Sequence, residues 1–390
     1  MVLVWEPLQK LILNIDGSGI TISFLVFMLI LILLRKNYVA GYAFKKPLVI
    51  WGLWIGYSFI NTSLKGYGYD VPGYSFFTQI FVPLALMLII NIEYVKNSQK
   101  LLNVLAFGMY VSLLIILLFS KQIIAGRVGR DINFNTAGIM ATVLLMILYF
   151  KYFHNEVSGK KFIILSLIPT IAVVSTGSRT AFGGLFILVL AHWFINRSNS
   201  NLKNIFRLLI GFVIVAVPIN YILNSTALGE RILSTTEQGA KIEVSTGNPI
   251  LDKFGDRGMF YYTGWQVFKK NPVTGIGLGN YKFYNEDELV QHSEYMIQLT
   301  ELGIIGFGLF IFFYYVIFMN IRKLRFLGVH RKDIELLMAY IVIILTMITA
   351  TRMFREWYLF SVVGLVTGYI ANERYLYRYN ELNDPKGSID

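Results

Sequence analysis

Apolar stretches long enough to cross a bilayer recur along this chain, and polar residues gather in the breaks between them. Runs of about 18 or more residues with few charges read as membrane helices. On that pattern, spans fall near 20–34, 48–64, 75–92, 101–120, 136–150, 162–176, 181–195, 208–223, 303–320, 335–350 and 357–371. The predicted fold is an all-α polytopic membrane protein with about 11 (11–12) transmembrane helices. The twelfth would come from residues 1–15, which are moderately apolar and read either as an interfacial helix or as part of a further span. Alternating segments of about ten residues, the mark of a β-barrel, do not occur.

One region departs from the pattern. Residues 224–302 form the one long polar stretch, a loop inserted between two spans of a single membrane domain over 1–390. It carries DRGMFYYTGWQVFKKNPVTGIGLGNY, then QHSEYMIQLTELGIIG, whose end opens the next apolar run. No internal repeat or low-complexity tract divides the chain.

Composition agrees with the pattern and adds an orientation. The chain is 55% hydrophobic and 15% charged, against about 25% charged in soluble domains, and its mean hydropathy is +0.58. The net charge of +12 points to anionic lipid rather than nucleic acid. Its Lys and Arg residues gather in alternate connections: Arg35, Lys36, Lys45 and Lys46; Lys151, Lys160 and Lys161; Arg322, Lys323, Arg325, Arg331 and Lys332. The positive-inside rule makes that set cytoplasmic. The C-terminus is then inside, and the N-terminus and the 224–302 loop are extracytoplasmic. Glu6 interrupts the first apolar residues, so the run beginning near Ile20 is expected to be a retained helix rather than a cleaved signal. Absence of cysteine excludes disulfides, thiolate metal sites and cysteine nucleophiles.

Topology shortens the list of candidate chemistry. Of four histidines, His154 and His330 fall in basic loops and His192 late in a span; His292 is the one on the outer face. The cations expected there are Arg127 and Arg130 in GRVGRDINFN, Arg179 in STGSRTAFGG, Arg257 in the loop, and Arg352 and Arg355 in TRMFREW. Any one arginine at a membrane boundary can be a snorkelling anchor. A set of them against the positive-inside trend suits a lipid pyrophosphate, whose oxygens match guanidinium forks. Around Arg179, Gly177, Gly183 and Gly184 are expected to let backbones approach; the alternative is a tight turn capped by Ser178 and Thr180. His292 is either a surface residue at a helix start or a base able to take a proton from a sugar hydroxyl, with Glu294 and Tyr295 close behind it.

The remaining features read as structural. GIGLGN (275–280) lacks the strand and helix of a dinucleotide fingerprint and reads as a turn. Glu286, Asp287 and Glu288 read as a solvated acidic run, and no spacing fits a zinc site. The aromatics Tyr67, Tyr69, Tyr74, Tyr261, Tyr262, Trp265, Tyr281 and Tyr284 suit an interfacial belt or sugar stacking.

Several of these motifs, in their order, resemble the O-antigen ligase and polymerase superfamily. TGSRTAFGG ends one span; the Arg of DRGMFYYTGWQVFKKNP follows, then GIGLGNY, then HSEYMIQLTELGIIG opening a helix. GRVGRDINFNTAG resembles the family's Arg-then-Asn loop, with Phe134 where proline often stands. The likeness covers roughly residues 125–320. It implies a membrane-embedded, metal-independent glycosyltransferase of the GT-C type, without cofactor, acting on an undecaprenyl-pyrophosphate-linked glycan at the outer side of the bacterial plasma (inner) membrane. By the same likeness His292 is the base, Arg179 and Arg257 clamp the pyrophosphate, and Arg127 or Arg130 assists. Arg352, Arg355 and Tyr295 are further candidates for substrate binding. A polymerase of repeat units for O-antigen, capsule or exopolysaccharide is the expected activity. The alternatives are a ligase passing finished glycan to lipid A core or protein, and a polysaccharide transporter or flippase. Expected partners are the lipid-linked glycan, membrane lipid, a chain-length regulator and a repeat-unit flippase.

Overall fold

A computed structural model describes residues 41–65, 73–119, 134–196, 256–284, 293–351 and 358–383. Among these, all regular structure is helical: α1 (Gly41–Leu64), α2 (Gly73–Phe119), α3 (Phe134–Phe153), α4 (Gly159–Ser175), α5 (Arg179–Asn196), α6 (Asp256–Lys270), α7 (Glu294–Lys323), α8 (Arg331–Met347) and α9 (Tyr358–Asn383), with short 3₁₀ turns at Asn280–Tyr284 and Leu324–Leu327. Four of them are long and apolar enough to cross a membrane, lying in α2, α3, α5 and α7. The expected spans near 20–34 and 208–223 lie outside the described residues.

Two of the four apolar helices are broken at a single residue, and each break folds the chain back. In α2, Asn97 has extended backbone (φ −160, ψ 86), and its side-chain oxygen accepts from the Lys100 amide at 2.9 Å. One residue thus ends a helix and caps the next. Residues on both sides reach the same end of α3: the Tyr94 ring lies 6.5 Å from Phe150, and Lys151 donates to Asn103. In α7 the break is at Gly303 (φ 64, ψ −166). Tyr295 then lies against both Phe307 and Phe310, centroids 6.4 Å away. In a straight helix, residues 295 and 310 would be about 22 Å apart.

The core is apolar all round because α3 is its centre. Residues 137–150 of α3 are buried, as expected of a helix with no polar face. It packs against both α4 and α5, while α9 lies along α2, α1 along α7, and α5 along α8. Gly138 permits the α4–α5 turn to sit on α3: a Cβ there would meet Thr176 Oγ1 at 2.8 Å, the Ala181 methyl at 2.9 Å and the Ser178 methylene at 3.0 Å. Trp51 stacks on Trp54 at 5.1 Å and meets Phe313 at 4.8 Å and Phe360 at 5.6 Å, joining α1, α7 and α9.

The helices order the polar residues into two ends. Arg374 donates to Asn320 at 3.0 Å, and this end also collects Lys96–Asn103, Lys151 and the start of α8. The opposite end holds Asn61, Asn135, Ser178, Thr351 and the turn at 271–281. Basic residues dominate the first end, as the positive-inside pattern requires.

Candidate functional site

The break at Gly303 is completed by another segment of the chain. In an unbroken helix the Ile304 and Ile305 amides would donate to the Thr300 and Glu301 carbonyls. Here Ile304 N donates to Pro272 O (2.9 Å) and Ile305 N to Val273 O (3.4 Å). The freed carbonyls accept from Ile276 N (3.1 Å, to Thr300) and Gly277 N (2.7 Å, to Glu301). These four backbone groups opened by the break are thus satisfied, as buried ones must be inside a membrane protein. This is what GIGLGN does. Gly275, Gly277 and Gly279 all have left-handed φ (69, 96 and 81), and a Cβ on Gly275 would lie 2.4 Å from the Glu301 carbonyl carbon. The Glu301 carboxylate, 2% exposed, holds the turn from below by accepting from Gly279 N (2.7 Å) and Tyr281 N (3.3 Å). From α1, Asn61 Nδ2 donates to Thr274 O at 2.8 Å, Thr62 Oγ1 accepts from Leu278 N at 2.9 Å, and Tyr57 donates to Leu302 O at 2.9 Å.

The arm 294–302 therefore runs inward from this cap. Tyr295 is level with Phe310, seven residues beyond Gly303, or about 10 Å along the helix. The arm carries polar groups into the core. Glu294 and Gln298 are fully buried; Trp54 Nε1 donates to Gln298 Oε1 at 2.8 Å, and Gln298 Nε2 donates to Glu294 Oε1 at 2.8 Å. A carboxylate in the first turn of a helix is favoured by the helix dipole. The Glu294 amide donates to Ile348 O (3.0 Å) and Thr351 O (3.2 Å), which ties the arm to the C-terminal end of α8. Tyr295 lies across the same junction, its hydroxyl donating to Leu345 O at 2.8 Å.

Two further elements reach this junction. Arg179 is the first residue of α5 and is half-buried. Ser178, fully buried, donates to Asn135 Oδ1 at 3.0 Å and accepts from Ala181 N at 3.3 Å. Ser178 thus caps the start of α5, as the turn reading has it, and ties it to α3. Gly177 is required by its left-handed φ of 60. At Gly184, one and a half turns beyond Arg179, a Cβ would stand 2.9 Å from Met347 Sδ and 3.1 Å from Thr142 Cγ2, so α5 runs close to both α8 and α3 there. Gly183 is different: nothing lies within 4 Å, so it permits no close approach. Arg257 stands in the first turn of α6. One turn later Tyr261 donates to Thr349 O at 3.0 Å, docking α6 on the α8 end.

Helix starts bearing Arg179 and Arg257, the Glu294 arm and the α8 C-terminus thus share one end of the bundle. His292, Arg127, Arg130, Arg352 and Arg355 lie outside the described residues. The described chain neighbours of His292 and Arg352 are Ser293 and Thr351, and the Glu294–Thr351 hydrogen bond joins those two strands of chain. Two expectations change. Tyr281 is 1% exposed and donates to Phe260 O at 3.2 Å, so it is core, not a sugar platform. Glu294, Gln298, Glu301 and Trp54 were not singled out as site-forming, although two carboxylates in an otherwise apolar helical run are a signal of buried function.

The starts of α5 and α7 also point their positive dipole ends at this junction. No curated protein matches the chain. Residues 163–311 match the family model described as O-Antigen ligase, a range that includes Arg179, Arg257, His292 and Tyr295. Over that range the chain is similar to the O-antigen ligase family.

Proposed function

We propose that this protein is a metal-independent membrane glycosyltransferase that polymerises undecaprenyl-pyrophosphate-linked repeat units into O-antigen, capsular or exopolysaccharide. The scaffold is a GT-C-type bundle of about 11 spans, acting at the periplasmic side of the inner membrane. The observation that carries the reading is the junction at which the Glu294 arm, the start of α6 and the start of α5 each meet the C-terminal end of α8. In this mechanism a hydroxyl of the acceptor sugar attacks the anomeric carbon of the donor. The bond from that carbon to the diphosphate oxygen breaks, and undecaprenyl diphosphate leaves. His292 takes the hydroxyl proton; Arg179 and Arg257 hold the diphosphate as its charge develops, where water is partly excluded and such contacts are strongest. Arg127, Arg130, Arg352 and Arg355 are auxiliary cations.

The matched family is described as a ligase, and transfer of finished glycan to lipid A core uses the same donor chemistry. Purified protein incubated with a lipid-linked repeat unit and lipid A core separates the two. A ladder of products supports polymerase. A single transfer to lipid A core, with no ladder, supports ligase. A donor left unconsumed overturns both.

A further inference from the structure

At the end of the bundle opposite the Glu294 junction, a cleft of about 680 Å³ opens between the end of α3, the end of α5 and the start of α8. That size is in the usual range for a small-ligand site. We propose that this cleft binds the phosphate headgroup of an acidic phospholipid from the leaflet at the basic end.

Its lining offers hydrogen-bond donors and one uncompensated cation. Tyr149 Oη and Asn196 Nδ2 both meet His192 Nδ1, at 2.8 Å and 3.2 Å. An amide nitrogen only donates, so Nδ1 is the acceptor and the ring proton is on Nε2. The pair thereby fixes one tautomer and leaves His192 an N–H to offer the cleft it lines. Lys332 and His330 stand across from it on α8 and the residue before it. Lys332 forms no ion pair among the described residues. The acidic group in the lining, Asp333, is already engaged by His154 Nε2 at 3.3 Å. With Asp333 held by His154, the Lys332 ammonium stands in the cleft beside these donors, which suits a phosphodiester rather than a cation.

Why a lipid and not a soluble anion follows from what flanks the cleft. Tyr149 and Tyr152 form its floor against Phe162 of α4, with ring centroids 6.2 Å and 4.9 Å away. The next turns of α4 expose Ile163, Ile164 and Leu167, and α5 exposes Val189 and Trp193. Acyl chains would lie on those surfaces with the headgroup above them. Lys160 and Lys161 at the start of α4 add to the field that draws acidic lipid.

The test is native mass spectrometry of the full chain purified in detergent with phosphatidylglycerol, phosphatidylcholine or inorganic phosphate. Retention of one phosphatidylglycerol is expected, with Lys332→Glu cutting it about tenfold. Lys323→Glu, an exposed basic residue at the same end but outside the cleft, should retain wild-type levels. Lys332→Gln gives the same readout should the charge reversal hinder folding. Equal retention of phosphatidylcholine, displacement of lipid by inorganic phosphate at similar concentration, or equal loss in Lys323→Glu would each overturn the proposal.

Discussion

Replacing Gly303 by alanine is expected to cost far more than the same change at Gly308 in α7. The backbone at Gly303 (φ 64, ψ −166) lies in a region essentially reserved for glycine, at about 1–3 kcal/mol for another residue. The new Cβ would stand 2.3 Å from Val273 O and 2.7 Å from Gly275 N. Backbone is on the other side of that contact, so relief requires moving the 271–277 segment. That motion puts at risk the four hydrogen bonds that complete the break, each worth about 1 kcal/mol. The sum is about 3 kcal/mol or more, and a fall in melting temperature on the order of 5 °C follows. Gly308 is the control: it is helical, nothing lies within 4 Å, and alanine there should be neutral or stabilising by up to about 1 kcal/mol. Thermal unfolding of both variants in the same detergent is the assay. Indistinguishable melting curves would refute the idea that the break is held by the glycine turn.

Further outcomes follow from the same geometry. Glu301→Gln keeps the shape but weakens the acceptor for Gly279 and Tyr281; a loss of about 1–3 kcal/mol by thermal unfolding is expected, and an unchanged midpoint contradicts it. Burial alone would lower the His154 pKa, but the Asp333 carboxylate and the Phe150 carbonyl outweigh it, and the net shift is upward. A raised histidine contributes stability fully present below its unfolded value of about 6.5 and lost as pH rises through the higher folded value. Wild type should therefore lose melting temperature across that rise while Asp333→Asn does not; parallel profiles would remove the pair from the account. The chain is free of cysteine, so single cysteines report topology. Tyr284→Cys, 42% exposed beside the glycine turn, should react with an impermeant reagent from outside, and Phe326→Cys, 76% exposed at the basic end, only after the membrane is opened. The reverse pattern inverts the orientation.

Much of the fold was legible because its cause is local. The spans near 136–150 and 303–320 are contained in α3 and in the part of α7 beyond Gly303, since length and hydropathy determine them. GIGLGN reads correctly as a turn from its glycines. What it turns against was not legible, because the partner is a break about 25 residues later, at a glycine that looks like any other in a membrane helix. Buried polarity failed for the same reason. Glu294, Gln298 and Trp54 acquire one environment only when α1 meets the folded-back arm, a contact between residues 244 positions apart. Tyr281 and Gly183 went the other way, their local surroundings implying roles that packing does not give them.

The most direct measurement of the account is donor turnover by purified wild type and by His292→Ala, Arg179→Ala and Arg257→Ala, each in EDTA, with release of undecaprenyl diphosphate as the readout. The account predicts full wild-type turnover in chelator and a loss of at least about a hundredfold in each variant, with all four proteins folded by size and melting temperature. Wild-type rates from the three variants, or activity that returns only with magnesium, would contradict it.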